Sequence, residues 1–183
     1  MAIAMRLPDT LSSERETLQE VEKEAIFNLL NQVIKDIESY RRDEGKALEK
    51  DFLKRIDLIE GHLTSVIKID PERSDKIEQK LRSALDDLKI EVDTNRFEQE
   101  LIFYLEKFDI TEEKVRLKNH LDYFKEVMKN DFPNGKKLGF IAQEMGREIN
   151  TIGSKANHAE LQKVVVQMKD ELEKIKEQLL NVL

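Results

Sequence analysis

The stretch LQKVVVQMKDELEKIKEQLLNV, residues 161–182, decides the fold class. Its apolar residues Leu161, Val165, Met168, Leu172, Ile175, Leu179 and Val182 recur in alternating steps of four and three, with charged and amide residues between them. That spacing lays one apolar seam along an α-helix and requires a helical partner, in the same chain or in another. Period-two alternation, the mark of strands, is nearly absent from the rest of the chain, so the sequence predicts an all-α protein.

Working back towards the start, the same period returns. Ser13-Glu14-Arg15-Glu16 fits a capping box, and a long helix is expected to open there. Its stripe of Leu18, Val21, Ala25, Leu29, Val33, Ile37 and Tyr40, read as buried, continues past Gly45 through Leu48, Phe52, Ile56, Ile59, Leu63 and Val66. Asp70-Pro71 is expected to stop the helix, because the residue before proline is pushed out of helical geometry. A further helix would carry Ile77, Leu81, Ala84, Leu85 and Leu88. Residues 1–90 are thus expected to form an N-terminal segment and an arm of long antiparallel helices packed as a hairpin.

Residues 91–183 read as a second, motif-bearing helical domain. It follows Lys89–Asp93, the nearest approach to an extended segment, and begins with a helical face of Phe97, Leu101, Tyr104, Leu105 and Phe108. A helix opening at Asp109–Glu112 carries Val115, Leu117, Leu121, Phe124 and Met128, and ends before the turn Pro133-Asn134-Gly135. Gly139, Gly146 and Gly153 stand seven apart, close to two helical turns, and would share one face. Close helix packing and close approach of a substrate backbone both explain such a row.

Composition removes several chemistries. The chain of 183 residues is long enough to bury a core, and it has no cysteine. Disulfides, zinc-thiolate sites, iron–sulfur clusters and cysteine nucleophiles are therefore excluded, and any metal must be held by His, Asp, Glu or backbone oxygen. No run approaches the roughly 20 apolar residues of a membrane span, and a cytoplasmic location is expected. The formal charge of −7 argues against a surface that attracts nucleic acid everywhere. Between Asp131 and Val165, however, five Lys/Arg stand against four Asp/Glu, leaving −8 for the remainder.

Two stretches hold candidate chemistry. In the first, Glu113, Arg116 and His120 fall at i, i+3 and i+7, so an acid, a base and an imidazole project together. Such a face could hold a hard divalent ion or move a proton, although glutamates in a first helical turn are also favoured by the helix dipole. In the second, Glu144, Arg147, Glu148, Thr151 and Lys155 recur opposite Ile141, Met145, Ile149 and Ile152. Two carboxylates one turn apart suit Mg²⁺ or Mn²⁺, and Arg147 and Lys155 could neutralise phosphate; an ordinary surface salt-bridge cluster is the plain alternative. His62 and His158 read as structural or exposed. No P-loop, dinucleotide fingerprint or nucleophile elbow is present.

The same stretches carry a family resemblance. Asp109–Glu113, Arg116-Leu117, His120 and Phe124, then Gly135–Leu138, Gln143-Glu144, Arg147-Glu148 and Asn150–Lys155, resemble the C-terminal signature of the YicC-like proteins. Leu7-Pro8, Arg42–Gly45, Asn95-Arg96 and Glu100 add weaker matches. The resemblance implies a stress-associated endoribonuclease that depends on a divalent metal and assembles as a homo-oligomeric ring. On that basis Glu113, His120, Glu144 and Glu148 are the acid–base candidates, with Glu144, Glu148 and His120 as metal ligands. Arg116, Lys136, Lys137, Arg147 and Lys155 would hold RNA phosphates, and Gln143, Asn150, Thr151 and Ser154 would position groups around them. Two departures stand out. The further N-terminal domain of family members has no counterpart before Leu7-Pro8, and Gly139 and Gly146 stand where the pattern has polar residues, often Asp and Asn. The competing readings are a non-catalytic RNA-binding adaptor and a purely structural coiled-coil protein.

Overall fold

The apolar seam at the end of the chain finds its partner within the chain. The computed structural model describes residues 18–88, 93–129, 134–180 and 182. They form five helices: α1 (Glu20–Leu88), α2 (Thr94–Lys107), α3 (Thr111–Met128), α4 (Gly135–Lys155) and α5 (Ala159–Leu179). There is no strand among the described residues, as the missing period-two pattern requires. The Ser13–Glu16 capping box, Leu7-Pro8, Lys89–Val92 and Pro133 lie outside the described residues. No helix among those described is long and apolar enough to cross a membrane.

The chain divides into two units, Met1–Glu44 and Gly45–Leu183. In the first, every described residue is exposed, including Val21 at 75% and Leu29 at 67%. This corrects the reading of the Leu18–Tyr40 stripe as buried. A lone helix offers no second surface, so an apolar stripe stays in water until another helix covers it.

In the second unit the stripe behaves as its period predicts. Phe52, Ile56, Ile59, Leu63 and Val66 join a core with Leu117, Leu121 and Phe124 of α3, Ile141, Met145, Ile149 and Ile152 of α4, and Leu161, Val165, Met168, Leu172 and Ile175 of α5. The Phe52 and Phe124 rings meet edge to face at 6.0 Å. α4 packs between α3 and α5. A Cβ on Gly153 would stand 3.0 Å from Val165 Cγ1, and one on Gly146 3.4 Å from Leu172 Cδ2, so these two glycines serve close packing against α5. Gly139 meets nothing within 4 Å and needs another explanation.

The expected stop at Asp70-Pro71 is not observed. α1 continues through Pro71 to Leu88, and the antiparallel hairpin expected before residue 90 is replaced by one helix. An interior proline costs about 3 kcal/mol, because it supplies no N–H and crowds the preceding turn. The helix is held beyond it by Arg73, whose side chain is 3% exposed. Its Nε donates to Asp70 Oδ1 at 2.9 Å, and a terminal nitrogen donates to the Phe108 carbonyl at 2.9 Å. Lys114 Nζ donates to Asp70 Oδ2 at 2.7 Å. Charge-assisted hydrogen bonds contribute about 1.5–3 kcal/mol each, so two or three of them outweigh the proline. Downstream the expected apolar positions Ile77 and Leu81 are half-buried, and Ala84 is exposed.

Candidate functional site

α3 and α4 run antiparallel as a hairpin, and two contacts pin their register. At one end Lys155 Nζ donates to Glu113 Oε1 at 2.7 Å and to the Asp109 carbonyl at 2.9 Å. At the other, Lys137 Nζ lies 5.0 Å from the centre of the Tyr123 ring. Between these pins lie His120 on α3 and Glu144 and Glu148 on α4, along the same seam.

The first pin belongs to a junction of helix ends. Arg73 donates to the carbonyl of Phe108, the C-cap of α2, and reaches the carbonyl of Lys155, the last residue of α4, at 3.5 Å. Helix C-termini leave carbonyls without donors and carry partial negative charge, so a buried guanidinium satisfies both needs. Glu113 stands in the first turn of α3, where negative charge is favoured, and is tied to Lys155. Its other oxygen, Oε2, is buried without a hydrogen-bond partner among the described residues. Two residues expected at the site, Glu113 and Lys155, are thus bound to each other in this junction.

The central stretch of α4 is different. Helical spacing sorts its polar residues into two rows. Lys136, Phe140, Gln143, Arg147, Asn150 and Ser154 follow the outward row and are all exposed. Glu144 and Glu148 follow the flank that also carries Lys137 and Lys155, which both reach α3. Glu148 is 8% exposed and makes no hydrogen bond or ion pair with any described residue. Arg147 comes within 2.8 Å of Glu144 Oε1, yet that oxygen is buried and accepts no aligned hydrogen bond. With the Arg147 side chain 73% exposed, solvent screens most of this pairing. Two carboxylates therefore sit one turn apart, set into the helix flank and weakly neutralised by the described residues.

The remaining expected residues are placed as follows. His120 is half-buried beside this seam and bonds to none of the described side chains. Arg116 is exposed and pairs with Glu112. Thr151 donates its hydroxyl to the Arg147 carbonyl and Ser154 to that of Thr151, so both are spent within the helix. Lys136, Lys137, Arg147 and Lys155 all lie on α4, and its first and last lysines are about 28 Å apart along the axis. They do not converge on one phosphate within a chain; they form a line.

The donor chemistry of Glu144 and Glu148 fits a hard divalent ion, which is commonly held by one or two carboxylates with waters and substrate phosphate completing the shell. No group of three or more His, Asp or Glu side chains able to hold a metal occurs among the described residues. Sequence reasoning missed the Asp70, Arg73 and Lys114 cluster. Its signal was present, since Asp70 and Arg73 continue the apolar positions Ile59, Leu63 and Val66 at steps of three and four. Phe140, 64% exposed in the outward row, was also missed.

An all-α protein with a carboxylate pair on one flank of a helix and a cationic row on its outer face is the class that this geometry defines. The family model described as Endoribonuclease YicC-like, C-terminal, matches residues 66–183. The chain belongs to that family. It is 36% identical over 185 residues to a protein of Clostridioides difficile (strain 630) named "Probable endoribonuclease YicC", an alignment covering 97% of this chain and 62% of the relative. A protein of the same name from Haemophilus influenzae is 26% identical over 178 residues, again with 97% and 62% covered. The chain therefore spans about 62% of the length of these relatives.

Proposed function

We propose that this chain is the helical part of an endoribonuclease that cleaves RNA phosphodiester bonds with the help of a divalent ion, Mn²⁺ or Mg²⁺. The observation that carries the reading is Glu148, a residue only 8% exposed whose carboxylate has no partner among the described residues, one turn from Glu144 and on the same helix as the cations of α4. A carboxylate set in a mostly buried side chain, with no cation bonded to it and its oxygens open to solvent, is placed to take a ligand from outside. The names of the relatives supply the reaction class.

Glu144 and Glu148 would hold the ion, and a divalent ion there supplies Lewis-acid polarisation of the phosphate. His120, on α3, would accept or deliver a proton. Arg147 and Lys136, on the outer face, would hold neighbouring phosphates. Glu113 and Lys155 position the end of the hairpin through their contact with each other. The exposed stripe from Leu18 to Tyr40 supports assembly with a second copy of the chain, and the cysteine-free composition suits a reducing cytoplasm.

The test is incubation of the purified chain with a labelled structured RNA, with Mn²⁺ or with EDTA, beside Glu148→Ala. Metal-dependent products that disappear in the variant support the assignment. Equal cleavage by both proteins sinks it, and binding without any cleavage favours an adaptor.

A further inference from the structure

The outward row of α4 contains a residue that neither core packing nor metal chemistry uses. Phe140 is 64% exposed, whereas its helix neighbours Leu138, Ile141 and Ala142 are at most 4% exposed. Lys136 lies one turn before it, Gln143 one turn after it and Arg147 two turns after it. At the rise of an α-helix, Lys136 is about 6 Å and Arg147 about 10 Å from Phe140 along the axis. Tyr123, 41% exposed on α3, stands beside the base of this row through its contact with Lys137.

Charge selects the occupant. The chain carries −7 overall, yet the outer row of α4 itself holds Lys136 and Arg147 and no acidic residue, Arg147 being 73% exposed although it reaches Glu144 of the flank at 2.8 Å. The acidic residues of this helix, Glu144 and Glu148, are turned to its flank. A local cationic line on an acidic protein suits a polyanion, and an exposed aromatic ring within it suits a polyanion that has flat faces. Bases locked in a duplex keep their faces against one another and cannot reach such a ring.

We infer that the outer face of α4 binds a single-stranded segment of RNA, with an unpaired base stacked on Phe140 and its flanking phosphates held by Lys136 and Arg147. The inference rests on RNA being the substrate, and it adds that this part of the substrate is unpaired. Gln143 is placed to meet the edge of the stacked base. The carboxylate pair lies on the adjoining flank of the same helix, so a strand held along the outer row would run beside the proposed ion site.

The chain has no tryptophan, so Phe140→Trp introduces a sole indole reporter. Its emission is followed during titration with a single-stranded 12-nucleotide RNA and with the same RNA annealed to its complement. The single strand is expected to quench the emission, and the duplex to leave it nearly unchanged. Phe140→Ala is expected to bind the single strand about tenfold more weakly, and Phe140→Tyr to retain binding, with helicity of all variants checked by circular dichroism. Unchanged affinity in Phe140→Ala, or equal quenching by the duplex, overturns the inference. A blue shift that grows with protein concentration in the absence of RNA also overturns it, and makes this face a contact between copies. Cleavage of the same RNA separates the two claims. Wild-type cleavage with unaltered binding by Phe140→Ala removes the Phe140 site alone, whereas a wild-type chain that neither binds nor cleaves RNA removes both.

Discussion

Asp70 and Glu148 are acidic residues of almost equal burial, 7% and 8% exposed, in opposite circumstances. Asp70 is saturated: Oδ1 accepts from Arg73 and Oδ2 from Lys114. Glu148 has no partner among the described residues. Burial alone would rank the two together. Satisfaction separates them, because a buried charge with all its hydrogen bonds made serves the fold, whereas a carboxylate bonded to no described residue and open to solvent is free to take a ligand.

The sharpest way to break this comparison is to remove one partner from each site. Arg73→Met leaves the Phe108 carbonyl without its donor and Asp70 with Lys114 alone. Loss of about 3–5 kcal/mol of stability is expected, read by urea denaturation; a loss below about 1 kcal/mol would show that the junction is not the lock described. Glu148→Gln removes a charge that no described residue neutralises. Its stability is expected to be equal to or above that of the wild type, while metal-dependent RNA cleavage falls about 100-fold or more. Should it unfold the protein as Arg73→Met does, Glu148 is structural and the contrast disappears.

Smaller effects test the packed and open faces of α4. Gly153→Ala pushes a methyl group against Val165, and after the gain in helix propensity a net loss of about 1 kcal/mol is expected in thermal denaturation. Gly139→Ala meets open space and is expected to stabilise the chain by about 0.5–1 kcal/mol. If both substitutions stabilise, the α4–α5 contact is looser than the structure shows.

The smallest effect concerns a partly exposed carboxylate. Hydrogen bonds from Lys118 and Lys125 hold the Glu60 carboxyl below its ordinary value of 4.5. A depressed folded pKa gives stability that is present above the unfolded value and lost as pH falls through the folded one. Glu60→Gln is expected to cost about 1 kcal/mol or less at neutral pH, a difference that vanishes on acidification. A difference that persists at low pH would assign the effect to packing.

Much of the architecture was legible in the chain itself. The steps of four and three in Leu161–Val182 identify a buried seam, and Ile141, Met145, Ile149 and Ile152 face the core as their period requires. Spacing placed the polar candidates of α4 on the side opposite its apolar stripe, while the structure divides them between an outward row and a flank. The proline at 71 misled, since its local penalty is fixed while the remote bonds of Arg73 that offset it reach the ends of two other helices, α2 and α4. The Leu18–Tyr40 stripe misled in a different way: periodicity reports which face is apolar, not whether anything covers it.

By itself, then, the sequence determined the helical class and the core faces of α4 and α5, because these depend on chemistry within a few turns. Only the tertiary structure decided that Glu113 and Lys155 are bound to each other, that Glu148 has no partner among the described residues, and that Phe140 is exposed on the same helix row as Lys136 and Arg147. Those distinctions depend on what the neighbouring helices bring to each side chain, and no local period encodes the partner of a charge.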